Sequence, residues 1–143
     1  MSDMTRIAMR YAEEVWNQGN LDAVDEIFAD GHTYHDPLSP GLPAGPDGVR
    51  ARVGAYKGAF PDSRVDVTEV IASGDVVAAR WTWGGTNTGP VMGIPATGRT
   101  ASIEGMHWFR FEGDRIAESW VQADNVGLLA QLGLVDLPAP QPA

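Results

Sequence analysis

Apolar positions recur with two different periods along the chain, and the change falls near residue 65. In the first thirty residues Ile7, Tyr11, Val15 and Trp16 stand at helical spacing, with Asp3 or Thr5 able to cap the start. This predicts a helix ending near Gly19, where Asn17 to Asn20 supply a break. Leu21, Val24, Ile27 and Phe28 then predict a short second helix that Gly31 stops. The piece HTYHDP reads as extended, and PLSPGLPAGPDG as a loop in which Asp47 can cap a third helix over residues 49–60.

From Val65 onward the period is two. VDVTEVIA and DVVAARWTW predict a hairpin turning at Ser73-Gly74, and ASIEGMHWFRF and RIAESWVQAD a second one turning at 112–114. Between them GGTNTGPVMGIPATGRT is a long Gly/Thr/Pro connection, and after them Asp124 or Asn125 caps a last helix over 126–132 that Gly133 closes. Helices followed by an antiparallel meander imply an α+β domain with helices on one face of a curved sheet, and such a cone can hold a pocket. The expected organisation is one domain over 1–136 and a Pro-rich flexible tail over 137–143.

Candidate chemistry concentrates before the last helix. Ile116, Glu118, Trp120, Gln122 and Asp124 alternate with Ala117, Ser119, Val121 and Ala123. A row carrying Trp, Gln and Asp has the character of a cavity wall. Asp124 is then either a plain N-cap, worth about 1 kcal/mol, or, with Asn125 capping in its place, a carboxylate free for proton transfer. His107 depends on the second hairpin: a two-residue loop at Gly113-Asp114 pairs it with Trp120 and puts it on the face of Asp124, whereas a three-residue loop puts Met106, Trp108 and Arg110 there. His35 either binds a substrate oxygen or is an exposed residue starting a loop. Trp81, Trp120 and, more remotely, Tyr11 are candidates for aromatic walls, although aromatics at such spacing equally build plain core.

Charge and composition narrow the partners. A net charge of −9 with ten scattered basic residues argues against nucleic acid. The absence of Cys removes thiolate sites, and the three His are too dispersed in sequence to suggest a metal centre. No apolar run approaches the roughly 20 residues of a membrane span, and the N-terminus lacks the apolar segment of a signal peptide, so a cytoplasmic location is expected.

The order YAEEVWNQGNLDAVDEIFAD, YHDP, AFPDSRV, GDVVAARWTWGGTNTG, MGIPATGR, FRFEGDRIAESW and DNVGLLAQLG resembles the SnoaL-like polyketide cyclase family, within the wider nuclear-transport-factor-2-like and ketosteroid-isomerase-like superfamily, over residues 4–134. The resemblance implies an α+β cone in which a curved antiparallel or mixed sheet wraps around the N-terminal helices and encloses an apolar pocket, with a short C-terminal helix. It implies a homodimer or homotetramer that takes a small, apolar, polyketide-like substrate and closes a ring by aldol chemistry without a cofactor. It also implies Asp124 as the acid/base, His35 at a polar position on the cavity rim and Asn87 at a position where members often carry His, and in such a reaction His107 and His35 would assist Asp124. Asn87 can hydrogen-bond a carbonyl but cannot shuttle a proton. Two other activities share such a scaffold. One is epoxide-hydrolase-like or isomerase-like catalysis, which for water activation would draw on Asp124, Arg110 and Glu104, and the other is binding of a small molecule without turnover.

Overall fold

A computed structural model describes residues 2–138 of the chain. The N-terminal helix α1 (Asp3–Arg10) is capped by Ser2, whose hydroxyl accepts from the Thr5 amide at 3.1 Å, in place of the Asp3 or Thr5 cap expected. It widens directly into a π-helical stretch, Tyr11–Asn17, a distortion that often marks functional sites. A 3₁₀ turn (Leu21–Ala23) and the single-turn helix α2 (Val24–Ile27) follow. Phe28 already begins strand β1 (Phe28–His35), so Gly31 lies inside a strand and does not stop a helix. Helix α3 (Pro46–Ala59) opens on Gly45 at φ 80° with Pro46 in its first turn, and no side chain caps it. Asp47, the expected cap, sits inside the helix and pairs with Arg50.

Strands β2 (Arg64–Ser73), β3 (Val76–Thr86), β4 (Thr100–Glu112) and β5 (Arg115–Ala123) form the meander, and helix α4 (Asn125–Gln131) follows it. The sheet order is β1-β5-β4-β3-β2, with β1 parallel to β5 and every other pair antiparallel. One face of this mixed sheet carries the apolar core against the helices, where Val15, Val24, Ile27, Phe28, Val49, Val53 and Phe60 are fully buried. Among the described residues no helix is long and apolar enough to cross a membrane. The tail expected from residue 137 lies, from residue 139 on, outside the described residues.

The second hairpin decides which side chains face the core, and it combines both expected alternatives. Glu112 pairs with Arg115 and Phe111 with Ile116, which is the two-residue loop, with Gly113 at φ 63°. One step later Arg110 pairs with Glu118, so Ala117 is an extra residue in β5. Ile116 and Ala117 are both buried as a result, and the inward row passes to Ser119, Val121 and Ala123. The row Glu118, Trp120, Gln122 and Asp124 therefore does not wall the cavity. Beyond the bulge His107 pairs with Val121 and Trp108 with Trp120, so His107 turns inward while Met106, Trp108 and Arg110 turn out.

Candidate active site

Between the inner sheet face and the helices lies a mostly apolar cavity, open at one end, with about 760 Å³ of atom-free space when the open mouth is included. Trp16, Tyr56, Trp81, Trp83 and Phe109 supply its aromatic walls. Gly105 faces Trp81 across β3 and β4, and a Cβ there would lie 2.4 Å from the indole ring, so the glycine makes room for that wall. The buried indole N–H of Trp83 has no hydrogen-bond partner among the described residues. Polar groups enter the wall at Tyr11, Asp36, Arg52 and His107.

These polar groups form one network. Arg52 projects from the buried face of α3, donating from Nε to Asp36 Oδ2 at 2.7 Å and from Nη1 to the Tyr34 hydroxyl at 3.1 Å. Its guanidinium also lies 4.7 Å from the Tyr34 ring centroid and 5.3 Å from that of Tyr56, a cation–π setting. Asp36 is fully engaged, because its Oδ1 accepts from the Leu38 amide at 2.9 Å. The Tyr34 hydroxyl lies 2.6 Å from His107 Nε2 and 2.9 Å from the Tyr11 hydroxyl, and the Trp81 indole donates to His107 Nδ1 at 2.8 Å.

Burial sets the charge states. It holds His107 well below the ordinary imidazole range, with Arg52 adding to the effect, so the ring is neutral at pH 7. Burial also pushes the Tyr34 phenol well above its ordinary value, outweighing the opposing pull of Arg52. Arg52 loses solvation in the same place, but Tyr34, Tyr11 and Asp36 more than offset that loss and raise its pKa. One cation, one carboxylate and a neutral imidazole thus share a site closed to bulk water on one side.

The SnoaL-like polyketide cyclase family model matches residues 6–132. This chain belongs to that family. Among its relatives are the nogalonic acid methyl ester cyclase of Streptomyces nogalater, 29% identical over 82% of this chain and 89% of the relative. The aklanonic acid methyl ester cyclase DnrD of Streptomyces peucetius is 30% identical over 87% of this chain and 88% of its own length. Solved structures agree: TsrD from Streptomyces laurentii superposes with a TM-score of 0.84 at 26% identity, covering 93% of this chain and 96% of that one. IdmH from Streptomyces antibioticus gives 0.79 at 30% identity, covering 92% and 99%.

Of the residues that family resemblance and spacing singled out, the structure gathers three, Tyr11, Trp81 and His107, in the cavity. His35 points to the other sheet face, where it stacks on Trp120 at 5.0 Å and bonds Glu118 at 2.7 Å. Trp120 follows it there because of the Ala117 bulge. Arg110 lies on that face too, paired with Glu112 at 3.1 Å and Glu118 at 3.3 Å, and is not a wall of this cavity. Asn87 is buried, but all its polar capacity goes into the loop: Oδ1 accepts from the amide and hydroxyl of Thr97, and Nδ2 donates to the carbonyls of Ala59 and Gly89. Asp124, not Asn125, caps α4, with Oδ1 accepting from the Gly127 amide at 2.9 Å. It is exposed and does not itself line the cavity, although its neighbours Ala123 and Asn125 both do.

Spacing alone missed Tyr34, Asp36 and Arg52. Tyr34 and Asp36 take the face of β1 opposite to His35, and a signal for Arg52 was present: it falls between Val49, Val53 and Tyr56 on the apolar stripe of α3. A charge on such a stripe requires a buried partner.

Proposed function

We propose that this family member is a cofactor-independent cyclase that closes a ring in a small polyketide-like substrate by intramolecular aldol addition, with Asp124 as the general acid/base. The observation that carries this reading is the division of labour within one exposed carboxylate, which stands in the chain between two residues that line the cavity. Oδ1 of Asp124 caps α4, while Oδ2 has no hydrogen-bond partner among the described residues and remains available to a substrate. Capping and proton transfer therefore do not compete. Asp36, the carboxylate inside the cavity, has both oxygens occupied, and His107 has both ring nitrogens occupied.

In the reaction Asp124 takes a proton from the carbon alpha to a carbonyl, and the resulting enolate attacks a second carbonyl of the same molecule. The alkoxide so formed takes the proton back from Asp124. Nothing is gained or lost, so product and substrate have equal mass. The aromatic walls hold the chain folded, which makes the attack effectively a unimolecular positioning problem. The methyl esters named in its relatives set the first substrates to try. Incubation with aklanonic acid methyl ester and no added cofactor is expected to give a product of unchanged mass and altered chromophore. No conversion of either relative's ester would count against the reading.

The assembly belongs to the same proposal: a homodimer or homotetramer formed through the outer sheet face, where Met106 is 60% and Trp108 52% exposed. Light scattering is expected to give a multiple of the chain mass, and a monomer at all concentrations contradicts it.

A further inference from the structure

We infer that the hydroxyl hydrogen of Tyr11 is aimed into the cavity as the donor that holds a developing oxyanion on the substrate, and that its direction is imposed from Trp81 through His107 and Tyr34. An indole N–H can only donate, so the 2.8 Å bond from Trp81 makes His107 Nδ1 an acceptor. A neutral imidazole carries one hydrogen, which must then be on Nε2, and the 2.6 Å bond to Tyr34 is donated by His107. Arg52 has no acceptor, so its 3.1 Å bond is likewise donated to Tyr34. Tyr34 Oη thus receives two hydrogens, and the one remaining neighbour that can take its own is the Tyr11 oxygen, 2.9 Å away. Tyr11 accepts that bond, and its own hydrogen has no acceptor among the described residues. Tyr11 is 3% exposed and lines the cavity, so the acceptor that suits it is a ligand oxygen.

The chain also has polarity. Two donors, one of them a buried guanidinium, converge on Tyr34, and each polarised link strengthens the next. Negative charge arriving at a ligand oxygen beside Tyr11 is stabilised by this fixed array without reorganisation. No proton is transferred along it. Tyr11 is the group that touches substrate, while Tyr34, His107, Trp81 and Arg52 position and polarise it. Its place in the reaction, on the enolate or alkoxide oxygen, rests on the cyclase reading, whereas the hydrogen-bond directions do not.

Two experiments test it. In the unaltered protein, nitrogen NMR is expected to show neutral His107 with its hydrogen on Nε2 at pH 7, and a hydrogen on Nδ1 overturns the inference. Substituted naphthols of graded acidity are then bound to the protein and to Tyr11→Phe, with naphthalene as the probe of cavity shape. The expected result is affinity rising with naphthol acidity in the unaltered protein. In Tyr11→Phe that slope is lost, affinity for the most acidic naphthol falls at least ~10-fold, and naphthalene binding is kept. A slope unchanged in Tyr11→Phe overturns the inference. Cyclisation by Tyr11→Phe is expected to lose roughly 10²–10³ in kcat with KM little changed. A protein that binds naphthols through Tyr11 but cyclises nothing would sink the cyclase reading alone, and an active cyclase with a flat naphthol slope would sink this one alone.

Discussion

The two faces of the β4–β5 hairpin carry nearly the same residue types and do opposite things. Inward stand His107 and Phe109, with Arg52, Asp36 and Trp81 around them; outward stand Trp108, Arg110, Glu118 and Trp120, with His35 stacked beside them. The inner His is neutral and bonded through both nitrogens, and the inner Arg and Asp side chains are only 7% and 4% exposed. The outer Arg110 and Glu118 side chains are 34% and 26% exposed and form an open network in contact with water. Residue type therefore does not distinguish a site from a surface here. Burial does, because only the inner face makes each polar direction obligatory.

Breaking the same kind of pair on each face gives the sharpest contrast. Arg52→Ala leaves Asp36 buried without its cation and is expected to cost about 3–5 kcal/mol, read from urea denaturation. Next comes acid. The folded state holds His32 at about 4, below its ordinary 6.5, chiefly through burial, with Glu118 opposing and His35 reinforcing the shift. Between those values the unfolded chain binds the extra proton, so stability is full above pH 6.5 and falls as pH drops to 4, by about 3 kcal/mol. His107 shifts in the same direction and steepens the loss. His32→Gln, compared by melts at pH 7 and pH 4.5, is expected to flatten the dependence, and an identical slope contradicts the assignment.

Gly105→Ala forces the Trp81 ring aside and is expected to cost about 1–3 kcal/mol and to loosen the Trp81–His107 bond, visible as a changed indole N–H resonance. The smallest effect is expected from the outer face. Arg110→Gln is expected to leave cyclisation unchanged, since Arg110 lies on the face away from the cavity. A large loss of activity in Arg110→Gln would erase the distinction between the faces.

How far the chain could be read residue by residue follows from the range of the interactions. The helices at each end, both hairpins and the α+β class were legible because period and turn chemistry are local. The face that Trp120 and Asp124 take relative to His107 was not, since it depends on Ala117, a single extra residue in β5 that reverses parity without leaving a break in the pattern. Tyr34, Asp36 and Arg52 meet only through the packing of α3 on β1, although Arg52 on an apolar stripe was a clue. The cap of α4 was ambiguous between two adjacent residues with similar capping strength, and the structure gives it to Asp124.

That ambiguity supplies the decisive measurement. Asp124→Asn keeps a side chain that caps helices as well as Asp does, while removing the group that can accept and return a proton. Side by side, chemical denaturation and the steady-state rate of ring closure separate the two roles. Unchanged unfolding with a kcat lower by roughly 10²–10⁴ is the predicted outcome. A variant that folds normally and closes the ring at the full rate contradicts the assignment of Asp124 as the acid/base.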